Sequence, residues 1–119
     1  MKRVYLTGPT PNTDPEIASV DRASIETSIL AVVEAGYSVF SPYPMLTYAL
    51  RQNRSTSFIR TISREWLKVA DAMILLPGWE GCQDTKVDLS IASLFGVPVF
   101  DSIFELLRWE YLPDAEKMR

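Results

Sequence analysis

Ala72-Met73-Ile74-Leu75-Leu76 is the most continuous apolar run in the chain, set between Asp71 and Pro77. A run without polar alternation suits a strand buried on both faces, and such strands belong to parallel sheets covered by helices. It predicts a central strand. The chain has 119 residues, 47% of them hydrophobic and 23% charged. That length and composition fit one globular domain rather than two, and exclude general disorder.

Glycines and prolines punctuate what surrounds this strand. Residues 2–7, KRVYLT, form a β-branched and aromatic run closed by Gly8-Pro9 and read as a first strand. In the following TPNTDPE segment, Asp14 can cap a helix, Pro15 suits the first helical position, and Glu16 favours the positive end of the dipole. The helix is expected over 15–35 with Gly36 as its stop. Ile25, Ile29 and Val32 make its apolar stripe, and Ser24, Ser28 and Ala31 a small face for close packing on a sheet or partner subunit. Residues 37–40 read as a second strand, ended by Ser41-Pro42-Tyr43-Pro44, where two prolines forbid regular pairing. Residues 45–52 are a short helix or a lid.

Ser55 or Ser57 can cap a third helix, in which Phe58, Ile62, Trp66 and Val69 share one side at helical spacing and are expected in the core. That leaves Arg51, Arg54, Arg60 and Arg64 as a solvated face, or as a source of a phosphate contact. After the central strand come the loop GWEGCQ, a helix over 84–95 stopped by Gly96, a fourth strand over 97–100 and a last amphipathic helix over 102–111. Strands alternating with helices across short connections imply a parallel α/β sheet with right-handed crossovers. The expected order is 2-1-3-4.

In an open parallel sheet, ligands bind beyond the carboxyl ends of the strands, where the strand order reverses. Here that point lies between the first and third strands, bordered by residues 8–14, which include Gly8 and Pro9, and by residues 77–83, which include Gly78, Trp79, Gly81 and Cys82. Neither loop reads GxGxxG, and GxxxxGK[ST] is absent, so no dinucleotide fingerprint or P-loop is present. In the helix that follows, Asp84 and Asp88 project into the same sector as Val87, Ile91, Leu94 and Phe95. A carboxylate on an apolar face needs a reason. One reading is that first-turn aspartates merely complement the helix dipole, with Asp84 as the N-cap. The other, stronger for Asp88, is a carboxylate nucleophile aimed at the crevice. Tyr5, three residues before Gly8, can orient such a carboxylate through its hydroxyl, or be a core tyrosine. Trp79 is a stacking platform or a hydrophobic plug. Trp66 fits the core stripe. Cys82 has no adjoining Lys, Arg or His to lower its pKa and reads as a small packed residue.

Composition narrows the chemistry. The chain has no histidine, which removes the Ser-His-Asp triad, the Cys-His pair and the imidazole base. Carboxylates, tyrosine, lysine, hydroxyls and one thiol remain. A single cysteine suits a reducing cytoplasmic setting. A net charge of −3 offers no footprint for a nucleic-acid polymer. The apolar stretch behind Met1-Lys2-Arg3 stops at Thr7-Gly8-Pro9, too short for a signal-peptide core. No apolar run reaches the roughly 18 residues of a membrane span, and no metal or cofactor is implied.

YLTGP near the N-terminus, the AGYSVFSP turn, and WLKVADAMILLPGWEG leading into DTKVDLSIA together resemble the nucleoside 2-deoxyribosyltransferase-like superfamily, closest to its small, phage-associated branch of largely unassigned function. The resemblance spans about residues 2–100, with LPGWEG its most specific element. It implies a flavodoxin-like three-layer sandwich with a parallel sheet of four or five strands, a homodimer or higher homo-oligomer, and cleavage or exchange of the N-glycosidic bond of a nucleoside or nucleoside 5′-monophosphate. The family's nucleophilic glutamate corresponds to Asp88, a supporting strand-1 tyrosine to Tyr5, and the backbone around Gly8 borders the ligand. A second family acid corresponds to Ser63, and a small phosphate-contacting residue to Cys82. Asp in place of Glu and Ser63 in place of an acid are departures; Asp84 is the candidate replacement acid. The alternative is a nucleotide-binding sensor or sequestering protein without turnover.

Overall fold

Ala72–Leu75 forms β3, and all four of its residues are buried. It pairs in parallel with β1 (Arg3–Thr7) on one side and β4 (Val99–Phe100) on the other, while β2 (Ser38–Phe40) joins the outer edge of β1. The computed structural model describes residues 2–9 and 15–111. Its four-stranded sheet is all-parallel with order β2-β1-β3-β4, as predicted. Asp14, the expected first cap, lies outside the described residues.

Five helices cover the sheet: α1 (Pro15–Glu34), α2 (Tyr43–Arg51), α3 (Ser57–Leu67), α4 (Gln83–Leu94) and α5 (Ile103–Glu110). Successive strand residues face opposite sides, and two cores result. Val4, Leu6, Ile74 and Leu76 pack with Ile25 and Val32 of α1, Tyr43 of α2 and Leu106 of α5. Tyr5, Met73 and Leu75 pack on the opposite face with Leu67 of α3 and Ala92 of α4. The result is a three-layer α/β sandwich. Gly36 and Gly96, both with positive φ, follow α1 and α4 where the sequence places their stops. Among the described residues no helix is long and apolar enough to cross a membrane.

Several local expectations change. Residues 45–51 belong to a helix rather than a lid, with Gln52 as its C-cap: α2 starts at Tyr43, inside the two-proline loop, because proline is tolerated in a first turn where its missing N–H has no helical partner. The N-cap of α3 is Thr56, not Ser55 or Ser57, although the Ser55 hydroxyl accepts the Ser57 amide, and the N-cap of α4 is Cys82, not Asp84. The fourth strand is shorter than 97–100, since Pro98 has no N–H; its carbonyl instead accepts the Met73 amide.

The largest correction concerns α3. Phe58, Ile62, Trp66 and Val69, expected in the core, are exposed, Phe58 by 70%, and the buried residues are Arg60, Ser63 and Leu67. The reason lies on α4, whose inner face is Thr85, Asp88 and Ala92. A buried carboxylate requires donors or a cation, and the polar side of α3 supplies them. The expected inner sector of α4 is corrected with it: Leu94 is 81% exposed and Val87 and Phe95 are also exposed. Val87 and Leu94 fall on the side of α4 opposite Thr85, Asp88 and Ala92, so burying those three turns them to solvent.

Candidate functional site

Thr7 ends β1 beside β3, where its carbonyl accepts the Leu76 amide at 2.7 Å. Its side chain lies on the face shared with Tyr5, toward α4, and is completely buried. The Thr7 Oγ1 hydroxyl donates to Asp88 Oδ2 at 2.7 Å. One turn earlier on α4, Thr85 Oγ1 donates to the Gly8 carbonyl at 2.9 Å. The two hydroxyl oxygens are 3.3 Å apart. Each hydroxyl has a single proton, already committed to an acceptor-only partner, so their contact carries none of its own. These bonds tie the end of β1 to the first two turns of α4.

The second oxygen of Asp88 faces α3. Arg64 Nε donates to Asp88 Oδ1 at 3.1 Å, and Nη2 of the same guanidinium meets Asp84 Oδ1 at 3.2 Å. Arg60 Nε lies 3.5 Å from Asp84 Oδ2. Arg60 and Arg64 are four residues apart on one helix, as are Asp84 and Asp88 on the other, so one turn of each presents its pair to the facing turn. Burial divides the pairs unequally: the Asp88 side chain is 1% exposed and that of Asp84 44%. Screening by solvent makes the Asp84 contacts weak, and the Asp88 contact is the one whose loss strands a buried charge.

Tyr5 stands beside this cluster. Burial pushes its phenol well above the usual value; the nearby Asp88 charge adds to that, while Arg60, Arg64 and the adjacent Ser63 hydroxyl oppose it. Tyr5 therefore keeps its proton. Among the described residues, the hydrogen bonds that Asp88 accepts come from Thr7 and Arg64, so Tyr5 bears on the carboxylate through its proximity. Ser63 is fully buried, and its hydroxyl donates to the Ile59 carbonyl at 2.7 Å.

The two crevice loops meet. A Cβ at Gly8 would stand 2.6 Å from Leu76 Cβ, so only glycine allows this approach of the first loop to the end of β3. Gly78 has a left-handed φ of +87°, and its side faces Pro9. Gly81 has no atom near the place of a Cβ. Trp79 packs against the core of Tyr5, Leu67, Met73 and Leu75, in the manner of a plug. Cys82 is buried at the start of α4.

Of the residues singled out from sequence, Asp88, Asp84, Tyr5, Ser63 and Gly8 converge, and Pro9 and Gly78 bring the two loops together. Thr7 and Thr85 complete the site without having been singled out, as do Arg60 and Arg64, expected as a solvated face or a phosphate contact and found on Asp84 and Asp88. The matching i,i+4 spacing of the two arginines and the two aspartates is the signal that could have found the arginines. No family model matches this chain, and no curated protein matches it.

Proposed function

We propose that the protein cleaves or exchanges the N-glycosidic bond of a nucleoside or nucleoside 5′-monophosphate, with Asp88 as the carboxylate at C1′. The observation that supports this reading is the placement of a buried carboxylate, held from two sides by Thr7 and Arg64, where β1 and β3 end and the sheet order reverses. Two hydrogen bonds leave a carboxylate with free lone pairs, since it offers about four, and with 1% of the Asp88 side chain exposed the substrate has to displace its cover to meet them.

In the proposed step an Asp88 oxygen attacks C1′ through an oxocarbenium-like transition state, as in retaining glycoside hydrolysis. The C1′–N electron pair leaves with the base, which takes a proton. Water or an incoming base then releases the sugar from Asp88. Asp84 is braced by Arg60 and Arg64, so water is the proton source this reading favours. Arg64 and Thr7 position the nucleophile, Tyr5 lines its flank as a neutral phenol, and the Gly8-Pro9 and Gly78–Gly81 loops border the sugar or phosphate. The setting we propose is cytoplasmic, in keeping with a lone cysteine. A homo-oligomer is supported by the exposed Phe58 and Ile62 of α3 and Leu94 of α4.

One observation favours a second reading, a nucleotide-binding protein without turnover. Ser63 stands at the position of the second family acid, and its only proton is spent on Ile59. Chromatography of a panel of nucleosides and 5′-monophosphates for free base decides between the two. Release of base by the wild type and its loss in Asp88→Ala is the expected result. Release that survives Asp88→Ala overturns the mechanism, and saturable nucleotide binding with no free base selects the second reading.

A further inference from the structure

Away from the Asp88 cluster, the sheet is incompletely covered. At the edge strand β2, beneath the C-terminal end of α3, lies a cavity of about 240 Å³ lined by Arg3, Tyr5, Ser38, Phe40, Trp66 and Ala70. Its lining has a definite chemistry. Tyr5 and Phe40 stack with centroids 5.8 Å apart and planes 16° apart, and Phe40 and Trp66 stack at 5.4 Å and 18°. The three rings thus form a ladder from the sheet to the surface, and Trp66 at its outer end is 53% exposed. Offset stacking holds flat rings in place, at about 0.5–1.5 kcal/mol per pair beyond simple area burial. Arg3 opens the register beside Ser38, and no ion pair among the described residues includes its guanidinium.

We propose that this cavity is a small-molecule site, separate from the Asp88 cluster, that takes a flat aromatic anion of one or two rings. The size sets the ring count, because the volume falls just short of the roughly 300 Å³ at which drug-sized pockets begin. The aromatic ladder and Ala70 favour a flat, apolar body over a branched one. Arg3 supplies the charge selection: a carboxylate or phosphate meets its planar fork in a two-point contact, and Ser38 adds a hydroxyl at the same rim. Tyr5 borders both this cavity and Asp88, so an occupant would be felt at the candidate site. The proposal does not rest on the glycosidic reading.

The test uses 2-naphthoate as the anion and 2-naphthamide as its uncharged counterpart, followed by ¹H–¹⁵N spectra of the indole N–H groups of the full chain. Three tryptophans give three signals, and the one lost in Trp66→Phe identifies Trp66. Naphthoate is expected to shift that signal saturably and to bind several-fold more tightly than the amide. Arg3→Gln should weaken naphthoate by about threefold to fivefold, the size of one partly solvated ion pair, and leave the amide unchanged. Ala70→Leu, which fills the cavity, should abolish both; if that variant fails to fold, Arg3→Gln, at an exposed residue, still decides. Equal affinity for acid and amide, or indifference to Arg3→Gln, overturns the anion site. A Trp66 signal that ignores naphthoate but moves on diluting the protein assigns the cavity to a second copy of the chain and overturns the proposal.

Discussion

Arg64 reaches from α3 to Asp88 on α4, Nε to Oδ1 at 3.1 Å, and is the cation that answers a carboxylate with 1% of its side chain exposed. Removing Arg64 leaves a buried carboxylate without its cation, whereas removing Asp88 leaves Arg64 20% exposed and still paired with Asp84. Arg64→Met is expected to cost about 3 kcal/mol in urea unfolding and Asp88→Leu less, whereas the double variant should recover much of the larger loss, because an apolar pair of similar volume avoids the desolvation. Additive single losses in the double-mutant cycle would mean that the pair is not coupled. Asp84→Ala, at a carboxylate 44% exposed, should cost no more than about 1 kcal/mol.

Thr7 and Thr85 pin the same helix to β1 through hydroxyls that are completely buried. Thr7→Val keeps the shape and removes the donor to Asp88. Thr85→Val removes the donor to the Gly8 carbonyl. Each is expected to lower stability by about 1–3 kcal/mol, the range for leaving a buried acceptor short of a partner. Thermal or urea melts check this, and neutral substitutions would show that water replaces the lost hydroxyl.

Two glycines that look alike in sequence should respond with opposite signs. Gly8→Ala sets a methyl 2.6 Å from Leu76 Cβ, and overpacking of this kind costs about 1–3 kcal/mol. Gly81→Ala meets nothing within contact distance and needs no left-handed φ. It should be neutral or stabilise by about 0.5 kcal/mol through a less flexible unfolded chain. The pair of melting curves is the measurement.

Tyr5 makes stability fall in alkali. Its phenol titrates above the ordinary value of 10.0 in the folded chain, so between that value and its folded one the unfolded chain has released a proton that the native state still holds. Stability is fully present below pH 10 and is lost as pH rises beyond it, by up to about 1.4 kcal/mol per pH unit from this one group. Lys2 and Tyr37 are shifted in the same direction. The contribution of Tyr5 is therefore the difference between wild type and Tyr5→Phe in urea titrations from pH 8 upward, and parallel curves would refute it.

The apolar run at 72–76 was enough to place β3 in the centre, and the glycine and proline spacing to give the alternation of strands and helices, for which 2-1-3-4 is the commonest small order. Those features are local: a continuous apolar run, a helix stop or a missing N–H acts on its own segment whatever lies elsewhere in the chain. Asp88 was singled out on a sector shared with Val87, Leu94 and Phe95, which the structure exposes; it is buried instead beside Thr85 and Ala92. What tertiary structure decided is which side of each helix faces in. On α3, helical spacing equally permits an apolar face and an arginine face to be buried, and only the presence of Asp84 and Asp88 on the neighbouring helix selects the second. Thr7, Thr85, Arg60 and Arg64 entered the site in this way. Their roles come from partners 20 to 81 residues distant in sequence, and the requirement that a buried charge find its counter-charge operates across space, where no periodicity along the chain records it.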